Sequence, residues 1–414
     1  MKTSMTQYLK AAERLCEGPL ARCEAPYVDW LTKRGYTDST IRNYTRCLAH
    51  FTRWAFDRNV AAESPPASLI QVFLNEHLPH CECPRPVQRK RSQVRAALSH
   101  LLPSIDAAGV NYTVEKPSAI DGELNRFDAY LRDQRGLRPN TRMQRRRILS
   151  GLLTFSPSAT GVPVWQDATQ LRRYLAVSFE RMTPGSSGVL ASAIRSYLRY
   201  RASLGDDVAA LLPVIASPAR WRLGSLPATL SSDEVERVLA SFDSKLPSWR
   251  RGHAIAHCVA KLGLRSAEVV ALELEDLDWA AGTIRLRGSK SRRIDVMPLP
   301  LSVGQTIVEY LRYERPTCMS RRVFVRHRAP TERPLLPGLV KRVIMDAYAR
   351  CNLSYTRVHI LRHSLAARVL DEGGTLKEVA DLLRHRVLET TQIYAKVDLH
   401  RLAAVAMPWP GSRA

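Results

Sequence analysis

The chain has 414 residues, 45% of them hydrophobic, and carries a formal net charge of +23. This length predicts two or three domains, and basic charge spread along the whole chain suits a polyanion held by several domains. The N-terminus lacks the apolar core of a signal peptide and no apolar run is long enough to span a bilayer, so we expect a cytoplasmic protein without a membrane partner. The positive charge alone does not exclude a ribosome-associated protein or a basic protein with another function.

The first half of the chain contains a weak internal repeat with a spacing of about one hundred residues. An amphipathic pattern from Tyr27 ends near Gly35, and a similar pattern from Phe127 ends near Gly136. In both copies a second, arginine-bearing helix is expected to follow the glycine. The repeat predicts two helical modules, residues 1–115 and 116–212.

Four side chains that can bind a metal lie close together in the first module: His77, His80, Cys81 and Cys83. They are good zinc ligands, but structural zinc sites usually join two separated pairs, and that pairing is absent from this segment. The sequence therefore favours no metal site, with zinc as the less favoured alternative. The eight cysteines are scattered in a chain without an export signal, which predicts free thiols.

The second module contains a row of basic residues on its second helix: Arg142, Arg145, Arg146 and Arg147. Such a row either contacts DNA phosphates or forms the solvated face of an ordinary helical bundle, and taken alone the second interpretation is favoured. Prolines and a glycine then predict a linker over residues 213–228. A serine followed by acidic residues at Ser231–Glu234 predicts a capped helix at the start of a last domain, residues 229–414.

An ordered set of six residues suits the breaking and rejoining of a phosphodiester: Arg265, Lys290, His359, Arg362, His385 and Tyr394. Two guanidiniums can hold the non-bridging oxygens of a phosphate during displacement. Imidazoles and an ammonium can move protons near neutral pH, and a tyrosine hydroxyl can act as the nucleophile. His359 and Arg362 lie at i and i+3, on one helical face. His363 and Ser364 are expected to turn away, with His363 buried and hydrogen-bonded.

The segment from Leu264 to Val397 resembles the tyrosine recombinase (phage integrase) family. The family's three sequence boxes are matched by Gly263–Glu268, by His359–Ser364 and by Leu382–Tyr394. The resemblance implies a mainly α fold with a small antiparallel β-sheet in the catalytic domain. One position departs from the family, because Arg384 stands where a glycine usually precedes the last histidine.

The resemblance also implies roles for the six residues. Tyr394 would be the nucleophile, Arg265 and Arg362 the phosphate clamps, and the two histidines partners in proton transfer or hydrogen bonding. Lys290 would be the general acid for the leaving 5′-hydroxyl. No metal or nucleotide cofactor is expected.

Residues beside the boxes have supporting roles in this interpretation. Glu268 is expected to orient Arg265, three residues before it. Alternating residues at 283–287 and 294–299 predict a β-hairpin whose tip holds Lys290. Arg292 and Arg293 at the same tip are competing candidates for its role, but phosphate contacts are the favoured interpretation for them.

Beyond the boxes, the second module resembles the core-binding domain of the family, which makes phosphate contacts by its arginine row more probable. The first module would be a duplicate of that domain or an arm-type DNA binder. An amphipathic segment after Tyr394, residues 397–405, would dock into a neighbouring subunit or pack on its own domain.

The implied function is a site-specific recombinase or integrase of a bacterial mobile element, acting on double-stranded DNA through a 3′-phosphotyrosyl intermediate. The implied assembly is a homotetramer on two synapsed sites, and participation of related recombinases stays open. The alternatives are a type IB topoisomerase and a catalytically silent DNA-binding protein.

Overall fold

The computed structural model describes residues 23–58, 67–84, 87–109, 118–155, 165–216, 227–287, 294–331, 333–385 and 391–395. The chain divides into two compact units, residues 114–224 and residues 1–113 together with 225–414. The first of these encloses the predicted second module, whose boundaries stay a prediction. No helix in the described part of the chain combines the length and apolar character that a membrane span requires.

The N-terminal segment is a small helical bundle with its own apolar core. Its helices are α1 (Glu24–Lys33), α2 (Asp38–Phe56), α3 (Ala67–Val72), α4 (Arg91–Leu98) and α5 (Leu101–Ala107), with a π-helical turn at Phe73–His77 and a 3₁₀ turn at Leu78–His80. Gly35 follows α1 with φ of +75°, as the predicted helix end requires. Tyr27 of α1 is fully buried and donates a hydrogen bond to the carbonyl oxygen of Ala97 at 2.9 Å, which joins α1 to α4.

The unit 114–224 is a second helical bundle. Its helices are α6 (Ala119–Asp133), α7 (Pro139–Leu153), α8 (Ala168–Glu180) and α9 (Pro184–Ser203), followed by a 3₁₀ turn at Leu212–Val214. Gly136 lies between α6 and α7 with φ of +58°, so both predicted glycine helix ends are confirmed. Phe127 and Tyr197 pack edge to face in the core, and the Tyr197 hydroxyl donates to the buried carboxylate of Glu123 at 2.9 Å.

The last segment is helical around a buried central helix. Its helices are α10 (Ser232–Ala240), α11 (Trp249–Leu262), α12 (Ser266–Ala271), α13 (Leu301–Tyr313), α14 (Pro337–Arg350), α15 (His359–Asp371) and α16 (Leu376–Leu382), with 3₁₀ turns at Leu274–Asp276 and Gln392–Tyr394. The start of α10 is confirmed, since Ser231 and Glu234 form the reciprocal hydrogen bonds of a capping box. Helix α11 buries most of its side chains and packs against α13, α14 and α15.

A three-stranded antiparallel sheet lies beside these helices, in the order β1 (Leu277–Asp278), β2 (Thr283–Arg287) and β3 (Ile294–Pro298). Thr283 pairs with Pro298 and Arg287 with Ile294, so β2 and β3 form the predicted hairpin. The mainly α fold with a small antiparallel sheet is confirmed. Lys290, Arg292 and Arg293 belong to the connection between the paired ends and lie outside the described residues, as does the segment 397–405.

Candidate active site

The first arginine of the site is positioned by the end of α11. Gly263 terminates this helix with φ of +60°, a conformation that glycine adopts without strain. A Cβ atom at this position would come within 2.9 Å of the Leu383 side chain, so both the backbone and the packing require glycine. Two residues further on, Arg265 has an extended backbone and forms the N-cap of α12.

Glu268 holds Arg265 and Arg384 on one carboxylate. Its Oε1 accepts a hydrogen bond from Arg265 Nη1 at 2.7 Å, and its Oε2 accepts one from the Arg265 backbone N–H at 2.9 Å. Arg384 Nη2 donates to Oε2 at 2.8 Å, and the side chains of this pair are both 8% exposed. Burial acts to raise the pKa of Glu268, but Arg384 and Arg265 outweigh it, and the net pKa lies below its usual value.

Arg362 is fixed by backbone carbonyls. It lies on α15, is 4% exposed, and donates hydrogen bonds from Nη1 to the carbonyl oxygen of Gly263 and from Nη2 to that of Leu383. These bonds connect the ends of α11 and α16. Burial, together with Arg265 and Arg384 nearby, lowers the pKa of Arg362. Three guanidiniums facing one carboxylate leave the site with a net positive charge, which favours binding of an anion.

Tyr394 is buried within this positive region. Its side chain is 1% exposed, and its hydroxyl lies 2.7 Å from Nδ1 of His363. Burial raises the pKa of Tyr394 to about 12, against the opposing influence of Arg362 and Arg265. The hydroxyl is therefore protonated at neutral pH and needs a base to act as a nucleophile.

His363 contacts the candidate nucleophile, which the sequence pattern does not predict. The expectation of a hydrogen-bonded ring agrees with the structure, but the expectation that the ring turns away from the site is wrong, because its partner is the tyrosine hydroxyl. Burial, followed by His359 and Arg362, lowers the pKa of His363 to about 4, so the ring is neutral at pH 7. In the neutral tautomer with its proton on Nε2, the ring accepts at Nδ1 and can take up the phenolic proton there. The i, i+4 spacing from His359 puts both histidines on one helical face and was the available indication.

The two predicted histidines also lie at the site. His385 Nδ1 is 2.8 Å from Thr391 Oγ1, and its ring is nearly parallel to that of Tyr394, with centroids 6.4 Å apart. Burial, then Arg362 and Arg265, lowers the pKa of His385 to about 4. His359 begins α15, and partial burial and Arg362 lower its pKa. Ser364 turns away as expected, since its hydroxyl accepts from the Leu230 N–H at 2.7 Å.

The arginine row of the second unit has mixed surroundings. The side chains of three of its members are half-buried and have polar partners within their own bundle, whereas Arg147 is exposed. The three pairs are Arg142 with Asp128 at 3.5 Å, Arg145 with Ser196 at 2.7 Å, and Arg146 with Asn125 at 2.7 Å. Arg147 is thus the member most open to a phosphate, and contacts of the row with DNA stay a prediction.

Arg384 occupies a strained backbone position. Its φ is +52°, in the left-handed region that costs an L-residue about 1–2 kcal/mol. The side chain offsets this strain by pairing with Glu268 and by contacting Met297 of β3 at 3.1 Å. The residue that departs from the family pattern therefore holds the carboxylate that also positions Arg265.

Replacement of Arg384 by alanine is expected to destabilise the protein more than replacement by glycine. Both variants lose the pair with Glu268, but only alanine keeps the backbone strain, so the two should differ by about 1 kcal/mol in the free energy of unfolding. Urea denaturation of both variants measures the difference. Equal stabilities would show that the left-handed conformation of residue 384 is not retained in solution.

Acid is expected to destabilise the fold before its carboxylates titrate. Four described histidines have a pKa lowered to about 4, chiefly by burial: His257, His327, His363 and His385. In the unfolded chain a histidine titrates near 6.5, so between about pH 6.5 and 4 the unfolded state binds more protons. Above about pH 6.5 these histidines should not affect the free energy of unfolding. The free energy of unfolding should fall as the pH decreases from about 6.5 to 4.

Denaturant midpoints measured at several pH values between 7.5 and 5 test this expectation. The variant His257→Gln lacks one of the four groups, and its midpoint should depend less steeply on pH than that of the wild-type protein. A midpoint that does not change between pH 7.5 and 5 in the wild-type protein would contradict the prediction.

Comparison with known proteins identifies the family. The model of the phage integrase family matches residues 228–401. The protein named “Putative integrase/recombinase y4rA” of Sinorhizobium fredii is 35% identical over 97% of this chain and 97% of its own length. Among solved structures, the XerH recombinase bound to its difH substrate covers 91% of this chain and 98% of its own, with 18% identity and a TM-score of 0.51. A lambda integrase tetramer bound to a Holliday junction covers 75% and 91%, with 16% identity and the same TM-score of 0.51.

The structural likenesses confirm the fold, and the sequence relative extends over nearly the whole chain. The protein is a tyrosine-type site-specific DNA recombinase, as its sequence boxes predicted. It belongs to the phage integrase family.

Proposed function

We propose that this recombinase cuts and rejoins double-stranded DNA for a bacterial mobile element, with Tyr394 as nucleophile. The observation that carries the proposal is the buried hydroxyl of Tyr394, which is hydrogen-bonded to a neutral histidine beside Arg265 and Arg362. The relative of Sinorhizobium fredii with the words integrase/recombinase in its name supports the role in integration.

In the cleavage step the phenolic oxygen of Tyr394 attacks the scissile phosphorus. A bond forms between this oxygen and phosphorus, the bond between phosphorus and the 5′-oxygen breaks, and the 3′-phosphate stays on the enzyme. His363 Nδ1 is placed to accept the phenolic proton, and Lys290 is the proposed donor of a proton to the leaving 5′-oxygen. Attack by a 5′-hydroxyl of another strand reverses the chemistry and rejoins the DNA.

The arginines stabilise the charge that develops on the phosphate. Arg362 is held by two backbone carbonyls and Arg265 by Glu268. Neither guanidinium therefore needs to reorganise when the phosphorus atom becomes pentacoordinate in the transition state. Preorganised donors of this kind commonly supply the largest electrostatic contribution to catalysis. His359 and His385 are proposed to donate or accept hydrogen bonds at the same phosphate.

The proposed partner is duplex DNA, and the proposed assembly is a homotetramer on two synapsed sites. A net charge of +23 gives many possible phosphate contacts, among which the exposed Arg147 is one candidate. The tetrameric state is carried over from lambda integrase on its Holliday junction. Participation of a related recombinase is a further possibility for the same assembly.

Incubation with DNA from the protein's own genomic locus tests the proposal. Denaturing electrophoresis should reveal a covalent protein–DNA adduct, and mapping of the ends should place the protein on a 3′-phosphate with a free 5′-hydroxyl. Recombinant products should form only when two sites are present. Relaxation of plasmids that lack the site, without recombinant products, would favour a type IB topoisomerase, and binding without any adduct would favour a silent DNA-binding protein.

A further inference from the structure

Four potential metal ligands converge in the N-terminal bundle, far from the catalytic residues in sequence. They are His50 of α2, His77 at the end of the π-helical turn, and Cys81 and Cys83 of the loop that follows. Their ligand atoms, two imidazole nitrogens and two thiol sulfurs, all lie within 4.8 Å of one another. The four ligands therefore connect α2 with the loop at Cys81–Cys83, which follows His50 by about thirty residues in the sequence.

Three of the six distances between the ligand atoms match those around a tetrahedral ion. The two imidazole Nε2 atoms of His50 and His77 are 3.4 Å apart, and Cys81 Sγ and Cys83 Sγ lie 3.3 Å and 3.5 Å from their nearest imidazole Nε2. Tetrahedral zinc, with bonds of about 2.0–2.1 Å to nitrogen and about 2.3 Å to sulfur, places two nitrogens about 3.4 Å apart and a nitrogen about 3.6 Å from a sulfur. The ligand atoms are thus close to the spacing that a single zinc ion requires.

The orientation of His50 is that of a supported metal ligand. Its Nδ1 lies 3.3 Å from the carbonyl oxygen of Gln88, which can accept a hydrogen bond from an N–H at this nitrogen. With the proton on Nδ1, Nε2 carries the lone pair and faces Nε2 of His77 and Sγ of Cys81. A backbone carbonyl behind the imidazole is the usual second partner of a zinc-binding histidine.

The surroundings of the cluster exclude water from one side. His50 is 4% exposed and Cys81 is 8% exposed, whereas His77 and Cys83 are half-buried. The ring of Phe73 packs edge to face on His50 with centroids 5.1 Å apart and stacks on His77 at 5.2 Å. The site offers four protein ligands beside an apolar aromatic ring. Four protein ligands without an open position are typical of structural rather than catalytic zinc.

We propose that His50, His77, Cys81 and Cys83 bind one structural Zn²⁺ ion, which fastens the loop after the 3₁₀ turn onto α2. The candidate ligands of the segment 77–83 lie within seven residues, which by itself is unusual for structural zinc. In the structure His80 is exposed and does not belong to the cluster. The fourth ligand is His50 instead, which lies 27 residues before His77. The ligands then come from two separated parts of the chain, one from α2 and three from the segment 77–83, so the ion would close a loop between them.

A ligand set of two sulfurs and two nitrogens favours Zn²⁺ over the harder cations Mg²⁺ and Ca²⁺, which prefer oxygen ligands. Because the ion would join residues that are not neighbours in the sequence, its binding energy would add to the stability of the N-terminal bundle. The proposal does not depend on the chemistry at Tyr394.

The metal content of the full-length protein, purified without chelators, tests the proposal. Elemental analysis should give about one zinc per chain, and a mercurial thiol reagent should release it. Removal of zinc should lower the melting temperature, and added Zn²⁺ should restore it. A metal-free protein, or one with a disulfide between Cys81 and Cys83, would overturn the proposal.

Substitutions identify the ligands. His50→Ala and Cys81→Ser should reduce the zinc content from about one ion to nearly none, whereas His80→Ala should keep it, because His80 lies in the same segment but outside the cluster. If the two ligand variants do not fold, the absorption spectrum of the Co²⁺-substituted wild-type protein tests the ligand set. It should show both thiolate-to-metal charge-transfer bands and the d–d bands of tetrahedral Co²⁺. Full zinc content in His50→Ala, or a Co²⁺ spectrum without thiolate bands, would reject this ligand set.

Discussion

Replacement of Tyr394 by phenylalanine is expected to abolish the covalent protein–DNA adduct. The substitution removes only the oxygen that would bond to phosphorus, and no adduct of this type can form without it. The measurement is trapping on a nicked suicide substrate, followed by denaturing electrophoresis. DNA binding should change little, because the many basic residues of the chain remain.

The same substitution leaves Nδ1 of His363 without its partner, which is expected to cost about 1 kcal/mol of stability. Tyr313→Phe is the matched control, since this tyrosine belongs to the same unit but is 67% exposed on α13. A normal yield of adduct from the Tyr394 variant would remove this residue as the nucleophile. Loss of adduct in both variants would point to a general defect instead.

Replacement of Arg362 by alanine is expected to reduce the rate of cleavage by a factor of about 10²–10³, because a preorganised donor to the transition state is lost. The arginine also satisfies the carbonyl oxygens of Gly263 and Leu383, so some loss of stability should accompany the change. Single-turnover cleavage and thermal unfolding, measured on the same preparation, separate the two effects.

Arg362→Lys keeps the positive charge but loses the planar guanidinium. A lysine ammonium cannot donate to both backbone carbonyls and a phosphate in the same geometry. The cleavage rate of this variant should stay well below that of the wild-type protein, while its affinity for DNA is nearly preserved. Arg237→Ala, at an exposed position of α10, serves as the control for removal of a positive charge. Cleavage by Arg362→Ala at a rate near that of the control would contradict the role of Arg362 as a phosphate clamp.

The regular parts of the fold could be predicted because their determinants are local. A capping box is contained within four residues, which is why the start of α10 was predicted correctly from Ser231 and Glu234. Alternation of side chains over five residues was sufficient for β2, and a glycine after each amphipathic pattern was sufficient for the ends of α1 and α6. The ordered boxes, in turn, predicted the family that the comparisons confirm.

Contacts between residues distant in the sequence could not be predicted in this way. The pairing of Arg384 with Glu268 joins positions 116 residues apart, and Arg362 contacts a carbonyl 99 residues before it. The contact of His363 with Tyr394 and the entry of His50 into the cysteine cluster are likewise long-range. By itself the sequence determined the set of reactive groups and the local structure that carries each of them. The local pair of Arg265 and Glu268 follows from its i, i+3 spacing. The long-range pairs depend on helix packing, because they involve side chains of several elements at once.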